Sequence, residues 1–486
     1  MSPETNEWVG LLWTATEKLY ANGAVMRDQA GRCVFRLLVL KFLSDVSEGP
    51  TTPGLPQFVV PSQAHWSQLR HPESWRVVDL LHSACTLLED ANPSLRELLS
   101  TTDFNPAGMS NSALVELIET LSALPPLRGE LVSDGKLGEV ADSFLRRLVE
   151  AGGRGFIHTP PSVTRLLAEV LEPKEDSRVC DPVCGVGGLL VGCVRQIASS
   201  SRLSLPIAAT RLALYGQERN AEIWALCRLN LLLHGITGAH VELGNVLWSP
   251  PVEQGQLFKY DRILANPPWT LSNWGVEQAA YDAFGRFNPI PPKNNADYAF
   301  VQHCLAALEE GGRAVLLLPR GVLLRSGSEG LIRRKLLEED RFEAIIALPG
   351  GLLHGTGLAP VILVLSKGKS PKRRKHVLFI DASGVGVKQG RVLRTLSQDD
   401  IGSIAKSFQS FEGDPRYVHV AHLEEIRAHN WNLTVERYVE REEQRERFDL
   451  EDHLDTLANT ESQRDEAARR MDDAVSRLKR FYLPDS

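Results

Sequence analysis

Asn266-Pro267-Pro268-Trp269 follows an apolar run, Asp261-Arg262-Ile263-Leu264-Ala265, that reads as a buried strand. Two consecutive prolines stop the strand and remove two backbone donors. What remains is an acceptor-rich corner: the Asn266 amide oxygen, the proline carbonyls, and the face of Trp269 beside them. Such a corner suits an exocyclic amino group on a planar base. The lone pair of that amine is delocalised into the ring, which makes it a poor nucleophile. Accepting hydrogen bonds from both of its N–H groups draws the nitrogen toward a tetrahedral, nucleophilic form. Trp269 offers a stacking face to a base that has left the duplex. An ordinary strand-ending turn competes with this reading, because Asn-Pro commonly opens turns.

A second segment narrows the chemistry. Residues 178–190 read Arg-Val-Cys-Asp-Pro-Val-Cys-Gly-Val-Gly-Gly-Leu-Leu. A short strand ends at Asp181, a loop with Cys184, Gly185, Gly187 and Gly188 follows, and an apolar helix begins. Glycines there permit positive φ and close approach of a ligand. The spacing is neither the dinucleotide fingerprint nor a P-loop, since no Gly-Lys-Ser/Thr follows. An acid opening the loop fits a ligand with an amino group better than one with phosphates. A glycine-rich turn without a ligand is the bland alternative. Leu212 to Glu218 reads as the next strand, again ending on an acid. In nucleotide-binding α/β folds an acid at that strand end commonly holds ribose hydroxyls. A ribose, a charged amino-acid part and an exocyclic amine acceptor together point to S-adenosyl-L-methionine and base methylation.

The order of segments then resembles a known family. Gly155-Phe156-Ile157-His158-Thr159-Pro160 precedes the cofactor loop, as a similar aromatic-Thr-Pro segment does in N6-adenine DNA methyltransferases. Gly216-Gln217-Glu218-Arg219-Asn220 and Asn266–Trp269 follow in the family's order, then Asn295-Ala296-Asp297-Tyr298-Ala299-Phe300. Pro319-Arg320-Gly321 and Leu348-Pro349-Gly350-Gly351 complete a set that resembles the modification (M) subunit of type I restriction-modification systems. The resemblance covers roughly residues 8 to 440. It implies an α/β fold: a Rossmann-like, mostly parallel methyltransferase domain behind a helical N-terminal domain. It implies adenine-N6 methylation of double-stranded DNA at a flipped base, with a separate specificity subunit reading sequence. A second copy of the chain and a restriction subunit are further candidate partners.

The same resemblance assigns roles. Phe156 packs on the cofactor, Thr159, Pro160 and the Asp181–Gly188 loop hold its methionine part, Glu218 its ribose, and Asn245 lies by its adenine. Asn266 and Pro267 polarise the target amine, with Pro268 shaping the turn and Trp269 stacking. No metal is implied. The chain departs from the family pattern at four places. His158 replaces an aromatic, Val183 and Val186 stand for Ala and Thr, and Asn245 stands for an Asp. These departures are the only support for a rival reading, a non-catalytic scaffold of a DNA-defence complex. Two enzymatic rivals are cytosine-N4 methylation of DNA and methylation of a protein glutamine or RNA.

Elements must position these residues, and the patterns change along the chain. Residues 1–150 have helical periodicity, with Trp8, Leu11, Leu12, Ala15 and Leu19 on one stripe. Residues 151–385 alternate short apolar strands with helices, as a mostly parallel sheet requires. Residues 386–445 form an extension, and 446–486 carry a stripe at Leu450, Leu454, Leu457, Glu461, Arg464, Ala468, Met471, Val475 and Leu478. So narrow a heptad stripe needs a partner helix, either the chain's own helical front or a specificity subunit. Residues 269–296 lack periodicity, and a long irregular segment after such a turn is either functional or a passive excursion.

Composition sets bounds on the rest. The chain has 486 residues, 43% hydrophobic and 24% charged, which allows more than one domain. A net charge of −7 and a pI near 6.1 argue against a free-standing DNA binder, so another subunit is expected to supply most phosphate contacts. Lys367 to Lys375 is a basic loop, either a solvated face or a phosphate contact. Seven cysteines without a Cys-x-x-Cys pair fit reduced thiols in a cytoplasmic protein. No secretory pattern or membrane span is expected: the longest apolar stretch, about 345 to 365, is broken by prolines and glycines into two strands.

Overall fold

The computed structural model describes residues 2–21, 26–70, 74–101, 104, 110–151, 158–389 and 393–439, with short helical pieces between 460 and 471. Residues Met1–Val439 form one compact unit and Glu440–Ser486 a second.

Apolar residues at helical spacing build the front of the first unit. Helices α1 (Pro3–Ala21), α2 (Arg27–Ser47), α3 (Trp66–Leu69), α4 (Val77–Ala91), α5 (Asn111–Ser122), α6 (Gly129–Ser133) and α7 (Lys136–Glu150) precede any strand. The stripe predicted on α1 is largely inside, with Trp8, Leu12, Ala15 and Leu19 buried. The α2–α7 crossing is close because Gly31 has no side chain. A Cβ there would lie 2.2 Å from a Leu148 methyl.

A nine-stranded sheet follows, ordered β13 (Val418–His422), β10 (His376–Asp381), β8 (Phe342–Ala347), β9 (Pro360–Ser366), β7 (Leu308–Pro319), β6 (Tyr260–Ala265), β1 (Arg178–Asp181), β2 (Ala213–Glu218), β3 (His240–Leu243). Its early strands are β1 (Arg178–Asp181), β2 (Ala213–Glu218) and β3 (His240–Leu243). A small hairpin, β4 (Val252–Glu253) and β5 (Gln256–Leu257), leads to β6 (Tyr260–Ala265). Helices α8 (Pro161–Leu171), α9 (Gly188–Ser201), α10 (Leu205–Ala209) and α11 (Ala221–Leu233) flank this half. The chain places β1, β2 and β3 side by side, then returns to the other side of β1 with β6. That reversal is the switch point where open α/β sheets bind ligands, beyond the carboxyl ends of the strands.

The other half holds α12 (Val276–Ala279), α13 (Asp297–Ala307), β7 (Leu308–Pro319), α14 (Ser328–Glu338), β8 (Phe342–Ala347), β9 (Pro360–Ser366) and β10 (His376–Asp381). The stretch from 345 to 365 is two strands joined by a loop, as its breakers predict, and both strands are wholly buried. Strand β9 runs antiparallel between β7 and β8, so the sheet is mostly rather than wholly parallel. The extension adds β11 (Val387–Gln389), β12 (Leu393–Thr395), α15 (Gln398–Ser410), β13 (Val418–His422) and α16 (Leu423–Ala428). Ser397 caps α15 with its side chain, as the sequence signals.

The helical front and the sheet share one continuous core, running from Trp8 to Val418. A partly buried charge cluster ties them. Asp142 on α7 accepts from Arg195 on α9 at 2.9 Å and pairs with His234 after α11 at 3.1 Å. Burial pushes the Asp142 carboxyl up, but His234 and Arg195 outweigh it and hold it well below the usual range. Of the tail stripe, Glu461, Arg464 and Met471 are exposed on helix, and its other positions lie outside the described residues. Among the described residues no helix is long and apolar enough to cross a membrane.

Candidate active site

A cleft opens at the carboxyl ends of β1, β2 and β6. Its walls are built from the predicted segments: Thr159, Asp181, Cys184, Gly185, Gly188, Glu218, Asn245, Asn266 and Pro268 all line it. Phe156 lies outside the described residues.

Asp181 ends β1 and is 1% exposed. Its Oδ1 accepts the Val183 N–H at 3.1 Å, which ties the first turn of the loop. Burial pushes its carboxyl up to about 8, with the nearby Glu218 adding to the rise. A buried acid with no cation beside it suits the ammonium group of an amino-acid ligand. Glu218 ends β2; its Oε1 accepts the Asn220 N–H at 2.8 Å, and among the described residues the second oxygen has no hydrogen-bond partner.

The glycines divide into different tasks. Gly185 has φ +52° and lines the cleft. Nothing lies within 4 Å of a Cβ built on Gly188, so the cleft has room there. Gly187, at φ +84°, faces away: a Cβ would lie 2.9 Å from Cys227 Sγ on α11. Its lack of a side chain serves helix packing rather than a ligand. Pro160 is also absent from the cleft wall; it caps α8, where its carbonyl accepts from Thr164 at 2.9 Å. A proline carries no N–H to lose at a helix start, which explains its place.

Asn245 spends part of its acceptor capacity on a local turn, taking the Leu247 N–H at 3.1 Å. Beside it stands a residue the sequence reading did not single out. Gln217 donates through Nε2 to Ser249 O at 2.9 Å, while its Oε1 is buried in the cleft wall without a partner among the described residues. An orphaned acceptor there fits a ligand carrying an amino group. Phe300 and Leu271 also line the cleft. The Asn295–Phe300 segment was visible in the sequence, but its distance from the loop gave no sign that Phe300 turns inward.

Asn266 is 8% exposed and its Nδ2 donates to Thr159 Oγ1 at 3.0 Å. Behind it lies a second hollow, lined by Asn266, Pro267, Trp269, His158, Leu353, His354 and Thr356. Asn266 and His158 therefore border both spaces. The Trp269 indole N–H donates to Leu317 O at 3.2 Å, which fixes the ring. Burial lowers His158 to about 4, so its imidazole is neutral, and among the described residues its Nδ1 has no partner.

Residues 269–296 are neither a loose flap nor a bare loop. Trp274 and Phe287 pack with Val246, Leu247 and Phe300 in a small core of their own. Arg286 pins this core: it donates to Val246 O at 2.9 Å, Leu247 O at 2.8 Å and the His303 Nδ1 at 3.0 Å. Burial, with Arg286 adding to it, lowers His303 to about 3, so its ring is free to accept. The basic loop from Lys367 sits at the opposite end of the strands from the cleft, since β9 runs antiparallel to β7. Its Lys369 is tied to Asp340, and Arg373 to Glu343 at 2.6 Å. Among the described residues no cluster of three or more His, Cys, Asp or Glu is arranged to hold a metal.

The N-6 DNA methylase family model matches residues 132–447, and the HsdM N-terminal domain model matches 10–121. The chain belongs to the N-6 DNA methylase family, among the type I methylase subunits. It is 32% identical to the type I restriction enzyme HindI methylase subunit of Haemophilus influenzae, over 76% of this chain and 84% of that one. It is 33% identical to the MjaVII methylase subunit of Methanocaldococcus jannaschii, over 64% of this chain but only 54% of that one. The chain thus spans about half the length of some curated relatives in its family. A crystal structure of a type I methyltransferase subunit from Streptococcus thermophilus superposes with a TM-score of 0.77, at 22% identity, over 90% of this chain and 100% of that one. That likeness confirms the family's fold: a mostly parallel sheet with a helical front.

Proposed function

We propose that the chain transfers a methyl group from S-adenosyl-L-methionine to adenine N6 in DNA. In this reading it is the modification subunit of a type I-like system, and a separate specificity subunit reads the sequence. The observation that carries the proposal is the orientation of Asn266. Thr159 takes the N–H side of the amide, which leaves Oδ1 to accept from an incoming amine. The reversed amide would present hydrogens to hydrogens and could not polarise the target.

The cofactor fits the cleft beyond β1 and β2. Asp181 would meet the ammonium, Glu218 the ribose, and Asn245 and Gln217 the adenine, with the loop at Gly185 and Gly188 leaving room for the methionine chain. Bound there, S-adenosylmethionine supplies an electrophilic methyl group on sulfur. The protein's part is to hold the base. Trp269 stacks on it in the second hollow, and Asn266 Oδ1 with the Pro267 carbonyl accepts the two amine hydrogens. Those acceptors act most strongly as positive charge develops on the nitrogen, so their effect belongs to the transition state. The open cleft and the oriented amide speak against a non-catalytic scaffold, despite Val183, Val186 and His158.

The proposal extends to organisation. Residues 1–150 are the helical front, 151–385 the catalytic domain, 386–445 an extension and 446–486 a docking helix. The setting is the cytoplasm, with a second copy and a restriction subunit as further partners. Co-expression with a specificity subunit, followed by mapping of modified bases in host DNA, tests this. N6-methyladenine at a defined site is expected; N4-methylcytosine or unmodified DNA would overturn it.

A further inference from the structure

Thr270 follows Trp269 directly and sits at φ +51°. That is the left-handed region, where a β-branched residue is a genuine outlier. Such a residue persists only when its surroundings over-determine it, and outliers of this kind cluster at functional sites. Here the Thr270 N–H donates to Asp297 Oδ1 at 2.9 Å. Asp297 opens α13 and is 0% exposed. Its own N–H is held by Asn295 Oδ1 at 2.9 Å, and its second oxygen pairs with Arg325. Arg325 is in turn fixed by Glu329 on α14 at 2.5 Å.

The neck of the 269–296 segment does not depend on this carboxylate. Two backbone bonds already close it, Ala296 N to Leu271 O and Asn273 N to Lys293 O, each at 3.0 Å. A buried carboxylate is expensive and needs a specific return. Besides its pair with Arg325, this one holds a backbone N–H, that of the strained residue directly after the proposed catalytic turn.

We propose that Asp297 is a positioning residue for methyl transfer: it holds Thr270 in the left-handed conformation and so sets Trp269 and Asn266 against the target base. The inference rests on Asn266 being the acceptor for the target amine. Without the carboxylate, Thr270 relaxes toward negative φ and turns the peptide that carries Trp269.

The test uses Asp297→Ala, Asp297→Asn, Thr270→Gly and the Asp297→Ala/Thr270→Gly pair in the full chain. Glycine adopts positive φ without steric cost, so Thr270→Gly removes the need for a clamp. A misplacement of about 1 Å at a reacting centre costs on the order of 10²-fold, and Asp297→Ala should lower single-turnover methyl transfer of the assembled complex by that order. Cofactor affinity should stay near wild type. Asp297→Asn keeps an acceptor oxygen and should fall between. The pair should recover a large part of the lost rate.

A second readout does not depend on activity. The fluorescence of Trp269 is obtained by subtracting the Trp269→Phe counterpart of each protein. It should shift in Asp297→Ala and return in the pair. Wild-type rate in Asp297→Ala, or a pair no better than Asp297→Ala in both readouts, would overturn the inference. A wild-type complex that transfers no methyl group would instead refute the proposed function, and the fluorescence comparison would still decide the role of Asp297.

Discussion

Thr159 Oγ1 accepts the Asn266 amide N–H at 3.0 Å, joining the segment before α8 to the turn after β6. Residues 107 positions apart in the chain thereby set which end of one amide faces the second hollow. Removing that acceptor should let the amide rotate. Thr159→Val is nearly isosteric and should lower methyl transfer roughly five- to tenfold, the worth of one hydrogen bond of about 1 kcal/mol. Cofactor affinity, measured by calorimetry, should change less than the rate. Equal losses in both would move Thr159 from orientation to cofactor binding.

If Asp181 meets the ligand's ammonium as proposed, cofactor binding should depend on pH. Its carboxyl is held up to about 8 in the ligand-free fold, so it carries a proton at neutral pH. An ammonium beside it favours the charged form and lowers that value, so binding at pH 7 should release close to one proton. Affinity should rise with pH up to about 8 and then fall as the ligand's own amino group, ordinarily near 7.7–8.0, loses its charge. For the empty protein the sign is that of a raised acid. Stability from this group is full below the ordinary aspartate range and is lost as pH rises through about 8. Calorimetry in two buffers of different ionisation enthalpy checks the proton release, and Asp181→Asn should abolish it.

Neighbouring glycines should fail in different ways. Gly187→Ala forces a Cβ to 2.9 Å from Cys227 Sγ at φ +84°. It should lower stability by roughly 1–3 kcal/mol, as overpacking does. Gly188→Ala meets open space and should leave the melting temperature near wild type. Gly185→Asp should fold and lose cofactor binding, because its side chain would enter the cleft. Thermal unfolding and calorimetry on the three variants separate the roles.

The chain's own pattern made the sheet, the cofactor loop and the catalytic turn legible, because each combines a strand with breakers at its end. The strand ends at Asp181, Glu218 and Ala265 carry that signal. What stayed hidden depends on side-chain direction. Nothing local distinguishes Gly187, which backs onto α11, from Gly188, which faces the cleft. Pro160 belongs to the motif yet serves its helix. Gln217 and Phe300 line the cleft through sheet register and helix packing, neither of which is local in sequence. The 269–296 segment was aperiodic for a physical reason: its core is built around Trp274, Phe287 and a buried Arg286, with no regular repeat to read.

The heptad stripe past residue 445 predicts a partner. Truncation after Val439 removes the second compact unit and leaves the first whole. The shortened chain should bind cofactor normally and lose much of its affinity for a specificity subunit, since a narrow apolar stripe without its partner is unstable. Co-purification and analytical ultracentrifugation check this; full affinity in the truncated chain would place docking elsewhere.

The central claim is that Asn266 activates an adenine amine, and tritiated methyl transfer to duplex DNA by the assembled complex tests it most directly. Wild type should label DNA at adenine N6. Asn266→Ala should fall by on the order of 10²–10³, the cost of one transition-state acceptor, with cofactor binding close to normal. Full transfer by Asn266→Ala would contradict the account.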